Sequence, residues 1–66
     1  MNVIVNGKPR DLPGEVTVKQ LLEHFDLAGE RVAVEVNGRI VDRDAFGDYV
    51  LRTGDVVEVV RFVGGG

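Results

Sequence analysis

Two stretches of alternating valine each run into an Asn-Gly pair: Val3-Ile4-Val5-Asn6-Gly7 and Val32-Ala33-Val34-Glu35-Val36-Asn37-Gly38. A two-residue period sends successive side chains to opposite faces of a strand. Asn-Gly accepts the positive φ of the tight turns that join antiparallel strands. The chain is therefore committed to two hairpins, each with one apolar face to cover. At 66 residues it can build only one core to cover them, and a chain of this size buries only about 60% of its unfolded surface. With no cysteine and a single histidine, His24, neither a disulfide nor a structural zinc site can support that core. Stability must come from packing.

In the first hairpin Met1, Val3 and Val5 fall on one side and Asn2, Ile4 and Asn6 on the other. A two-residue loop gives Leu12 the parity to join Val3 and Val5, and Pro9 suits a short edge strand. Thr17 stands three residues before Gln20, the reciprocal capping pattern of a helix start. Val18, Leu21, Leu22 and Phe25 then follow at i, i+3, i+4 and i+7, an apolar stripe one helix wide. Gly29 is the expected stop. So short a helix is unstable alone and must lie on the sheet.

After the second hairpin, which continues through Arg39-Ile40-Val41, residues 42–54 lose the alternation. They read as a loop with one irregular turn anchored by Phe46 and Tyr49, and Leu51 is expected to cover a core edge. Asp55 opens a last strand with Val57 and Val59 on one face and Val56, Glu58, Val60 and Phe62 on the other. Hairpin, helix, hairpin, loop, strand is an α+β order. One helix covers both hairpins if the last strand pairs parallel with the first at the centre, in the order 2-1-5-3-4. That is the ubiquitin-like β-grasp arrangement, predicted as one domain over residues 1–62 with a glycine tail at 63–66.

A net charge of −3 with scattered Lys and Arg offers no basic stripe for phosphate backbones, so no nucleic-acid partner is expected. No apolar run approaches the roughly 20 residues of a membrane span, and no signal peptide is legible at Met1. The chain is expected to be cytoplasmic and monomeric when free. No metal site is expected either: Asp42, Asp44 and Asp48 with Glu35 lack calcium-loop spacing, and His24 with its neighbours Glu23 and Asp26 reads as a solvated helix face.

The remaining feature is the end, Val63-Gly64-Gly65-Gly66. Three residues without side chains can pass a slot too narrow for any Cβ and bring the Gly66 carboxylate to a nucleotide phosphate. Carboxylate attack on the α-phosphate of ATP would give an acyl adenylate, which a sulfur nucleophile can displace.

Four stretches together resemble the thiamin-biosynthesis sulfur carrier family: Val3-Ile4-Val5-Asn6-Gly7, Thr17-Val18 with Leu21-Leu22, Val32 to Gly38 through Ile40-Val41, and Gly54-Asp55 leading to the glycine end. The resemblance implies a carrier that is not itself an enzyme. In that family an adenylating enzyme of the E1 type activates the terminal glycine with ATP. Sulfur traced to a cysteine desulfurase then makes a thiocarboxylate, and thiazole synthase takes the sulfur. Gly66 is thereby the acyl group and Gly65 its partner glycine, with Gly64 and Val63 completing the segment that enters the partner's active site. The chain departs from the family pattern at Asp42, where proline is common, and in its third glycine, which makes Gly64 permissive. The rival readings are a carrier for molybdopterin or another metabolite, a ubiquitin-like protein modifier, and an interaction module whose tail does nothing.

Ordering Val63 to Gly66 in a cleft costs about 4–8 kcal/mol of backbone entropy. A carrier must therefore bind chiefly through its folded body. Strand parity puts Ile4, Ile40, Val60 and Phe62 on the sheet face away from the helix, with Glu35 and Glu58 nearby, and this is the expected docking face.

Overall fold

The computed structural model describes residues 1–62. Its strands are β1 (Asn2–Val5), β2 (Lys8–Asp11), β3 (Val32–Val36), β4 (Arg39–Val41) and β5 (Val56–Arg61), and its helix is α1 (Val18–His24). The sheet runs β2-β1-β5-β3-β4, with β1 and β5 parallel and the other neighbours antiparallel. This is the expected β-grasp order. Both hairpins have two-residue turns with Asn6 and Asn37 at φ +50° and +53°, each followed by a positive-φ glycine. The first turn pairs Val5 with Lys8, so Leu12 meets Met1, its amide donating to the Met1 carbonyl at 2.7 Å. Leu12 is buried as its parity requires, and Pro9 lies on the outer strand.

The helix starts as its capping pair dictates. The Gln20 amide donates to Thr17 Oγ1 (3.1 Å), and the Thr17 amide donates to Gln20 Oε1 (2.8 Å). A cap of this kind is worth about 1 kcal/mol. Val18, Leu21 and Leu22 are buried and Phe25 packs partly on the core. At about 1.5–3 kcal/mol for each fully buried aliphatic side chain, this stripe outweighs the cap as the reason the helix exists.

The expected stop at Gly29 is corrected: the helix ends at His24 with Phe25 as its C-cap, and the reversing residue is Asp26 at φ +65°. The Asp26 amide donates to the Glu23 carbonyl (3.1 Å) and the Leu27 amide to the Leu22 carbonyl (2.7 Å). These are the paired bonds of a Schellman ending. Asp tolerates the left-handed conformation, and the half-buried Leu27 fixes the reversal by packing on the core. Gly29 lies in the following turn.

Residues 42–54 contain a 3-10 turn, Arg43–Ala45, and then a segment tied to the start of the helix. The Val18 amide donates to the Tyr49 carbonyl (2.9 Å), the Lys19 amide to the Phe46 carbonyl (2.9 Å) and the Leu51 amide to the Val16 carbonyl (2.8 Å). Two expectations are corrected here. Tyr49 anchors the turn through its backbone, its side chain being exposed, and of the two aromatics only Phe46 packs on the core, beside Ala45. Leu51 does not cover an edge but is fully buried, because those backbone bonds draw the segment down onto the sheet's helix side. The last strand starts at Val56, one residue after Asp55, whose carboxylate is taken by the Arg52 amide (2.8 Å).

Candidate functional site

β5 is the central strand, and its backbone leads to the glycine end, so what holds β5 fixes where that end emerges. β1 pairs with it over Val56 and Val57, and β3 pairs with it from Val57 to Arg61. The two turn asparagines add to these ladders. Where β1 turns away, Asn6 Oδ1 accepts from the Val59 amide (2.8 Å) and Asn6 Nδ2 donates to the Val59 carbonyl (3.2 Å). The side-chain amide thus replaces the next peptide of the departing strand. At the start of β5, Asn37 Oδ1 accepts from the Val56 amide (2.9 Å), and Asn37 Nδ2 donates to Asp55 Oδ1 (3.0 Å).

Sequence reasoning assigned these asparagines only to their turns. Their clamp on β5 has no local signal, since each reaches a strand far away in sequence. Glycine at position 6 keeps the positive φ but loses the clamp. Asn6→Gly is therefore expected to lower stability by roughly 1–3 kcal/mol, two net hydrogen bonds, and to speed amide exchange at Val59. Unchanged denaturation and exchange would reduce Asn6 to a turn former.

The sheet face away from the helix carries the predicted docking residues. Ile4, Ile40, Val60 and Phe62 are 37%, 76%, 56% and 59% exposed. They are not scattered. Val60 lies opposite Ala33, Ile40 lies opposite Glu35, and Glu35 in turn lies opposite Glu58. Ile4 lies opposite Val56, which is also exposed and completes the apolar surface. Its parity placed Val56 on this face, though not among the expected docking residues. The Phe62 amide donates to the Arg31 carbonyl (2.9 Å), which prolongs the β3 ladder to the last described residue.

The four tail residues Val63, Gly64, Gly65 and Gly66 lie outside the described residues. Covalent geometry still bounds their reach: four residues extend at most about 14 Å, so the Gly66 carboxyl can act only within that distance of Phe62. Whatever engages it must lie against the Phe62 end of the sheet. Among the described residues no three His, Asp or Glu side chains gather as a metal site, and no helix is long and apolar enough to cross a membrane.

Comparison with known proteins agrees with this geometry. The ThiS family model matches residues 3–66, nearly the whole chain and its glycine end. The sulfur carrier protein ThiS of Thermus thermophilus is 42% identical over 64 residues, covering 97% of this chain and 98% of that protein. A thiazole synthase of Magnetococcus marinus is 41% identical over all 66 residues, yet the chain spans only 20% of that protein's length. The crystal structure of the thiamine biosynthesis protein ThiS from Geobacter metallireducens superposes with a TM-score of 0.84 at 42% identity, each chain covered completely. A β-grasp sheet in the same order, matched end to end by a solved member and by the family model, leaves one assignment: this chain belongs to the ThiS family.

Proposed function

We propose that the chain is a sulfur carrier for thiazole formation in thiamin biosynthesis, working through the carboxyl group of Gly66. A partner adenylating enzyme binds the folded body and draws the glycine tail into its active site. The Gly66 carboxylate attacks the α-phosphorus of ATP, and pyrophosphate leaves. The outer sulfur of a protein persulfide, supplied by a donor such as a cysteine desulfurase, then adds to the acyl carbon, and AMP departs with one carboxylate oxygen to leave an acyl disulfide. A cysteine thiol of the partner machinery attacks the donor's sulfur in that bond, forming a disulfide with it and releasing the thiocarboxylate, which gives its sulfur to thiazole synthase. The carrier contributes no catalytic group. It contributes position, shape and an acyl end, in the cytoplasm where ATP is at hand.

The observation that carries this reading is the family match running through the glycines of a chain whose preceding central strand is clamped on both sides. Support for thiazole synthase as the acceptor comes from the Magnetococcus marinus protein, in which a segment like this chain makes up 20% of a thiazole synthase. Joining donor to acceptor in one chain raises their effective concentration. The test presents purified thiocarboxylate carrier, its sulfur isotopically labelled, to thiazole synthase and separately to the large subunit of molybdopterin synthase. Label is expected in the thiazole product alone. Label in molybdopterin alone would move the carrier to that pathway.

A further inference from the structure

Asn-Gly is the dipeptide most open to deamidation, because glycine has no Cβ to shield its amide nitrogen from the asparagine side chain before it. The glycine nitrogen, as its amide anion, attacks the asparagine Cγ, and ammonia leaves. Water then opens the resulting succinimide to aspartate or, at the other carbonyl, to isoaspartate. Both turns carry this dipeptide, Asn6-Gly7 and Asn37-Gly38, and the two asparagines share the same turn conformation at φ +50° and +53°. Sequence and turn geometry therefore do not separate them. Their side-chain partners do.

Each asparagine must free its carboxamide before Cγ can swing to the glycine nitrogen. At Asn6 both side-chain atoms are bound to one residue of the central strand, the Val59 amide (2.8 Å) and carbonyl (3.2 Å), in partly buried surroundings. The Asn6 backbone amide also donates to the Val57 carbonyl (2.9 Å). Releasing Asn6 thus means parting the end of β1 from β5. Asn37 is held differently. Its Oδ1 accepts from the Val56 amide (2.9 Å), but its Nδ2 has only the side-chain carboxylate of Asp55 (3.0 Å). Both bonds are exposed, so water takes the place of either partner at little net cost. The turn there leads into β4, a three-residue strand at the sheet edge.

We propose that Asn37 is a deamidation site of the folded chain, that Asn6 is protected from the same reaction by its clamp, and that conversion of Asn37 unfastens the start of β5. The product dictates the consequence. Aspartate at position 37 puts a carboxylate oxygen where the Nδ2 donor stood, directly against Asp55 Oδ1. One hydrogen bond is lost and two like charges meet. Asp55 is not free to retreat, since its Oδ2 accepts from the Arg52 amide (2.8 Å). Isoaspartate goes further, because its extra backbone methylene does not fit the two-residue turn between Val36 and Arg39. This chemistry needs only water and is independent of the carrier reading.

The test incubates the wild-type chain at mildly alkaline pH, folded and in denaturing urea, and locates the mass gain of NH2 replaced by OH by fragmentation. In urea the two sites are expected to convert at similar rates. In the folded chain Asn37 is expected to convert about tenfold faster than Asn6, the difference between two exposed hydrogen bonds and two partly buried ones. Equal folded rates, or Asn6 ahead, would overturn the proposal. Two variants read the consequence. Asn37→Asp keeps a residue that tolerates positive φ, and should melt about 4–8 °C below wild type with faster amide exchange at Val56. Asn37→Asp/Asp55→Asn exchanges the two groups, restores an N–H between them and should recover most of that loss. A single variant as stable as wild type, or an exchange that recovers nothing, would show that the Asn37–Asp55 contact does not fasten β5.

Discussion

Leu51→Ala is expected to leave much of the chain unfolded at room temperature. Leu51 is fully buried, and its backbone is bound to Val16, so it sits where the 42–54 segment, the helix start and the sheet meet. Truncating a buried leucine costs about 2–5 kcal/mol, the transfer free energy of the lost atoms plus the cavity left behind. A single core of this size supplies no more than about 3–5 kcal/mol, so the loss is comparable with the whole stability. There is no cysteine and no described metal site to compensate. Urea titration followed by far-ultraviolet circular dichroism reads the result directly, with Leu51→Met as a volume-conserving control expected to stay folded. An alanine variant with a near-native midpoint would mean that the segment can collapse onto the cavity, and that its place in the core is weakly held.

The second large effect concerns chemistry and leaves the fold alone. Gly65→Ala/Gly66→Ala is expected to cut thiocarboxylate formation by about a hundredfold or more. Each added Cβ must enter the slot through which the acyl end passes, and a displacement of about 1 Å at a reacting centre costs about that much. The described core is built from residues up to Val59, so the denaturation midpoint should not move. Gly64→Ala should retain most activity, as expected of a third glycine beyond the two that the family pattern requires. Competition binding supplies the check: the double alanine variant should still occupy the adenylating enzyme, because the proposed function has the folded body, and not the tail, supply the affinity. A variant that loads sulfur at the wild-type rate would show that the glycines are not what the partner reads.

The fold was legible because period and turn chemistry agree throughout. Two Asn-Gly turns set both hairpins, the Thr17–Gln20 pair set the helix start, and the parity of Val57 and Val59 against Val60 and Phe62 divided the last strand correctly. What escaped depends on contacts made far along the chain. Leu51 looks like a loop residue until the Thr17–Val50 bridge draws its segment onto the core. Asp26 ends the helix in place of Gly29 because Leu27 gains more by packing than Asp26 loses at positive φ. The asparagine clamps on β5 and the direct opposition of Glu35 and Glu58 follow from strand order and register, which alternation alone does not specify. The open face was assigned from parity, and its exposure follows that assignment; Val56 joins it for the same reason.

Intact-mass spectrometry of the chain after incubation with ATP, the adenylating enzyme and a sulfur donor tests the central claim most directly. A gain equal to replacement of one oxygen by sulfur, located by fragmentation at Gly66 and dependent on ATP, is the result this account predicts. An unchanged mass, or sulfur found anywhere other than the Gly66 carboxyl, would contradict it.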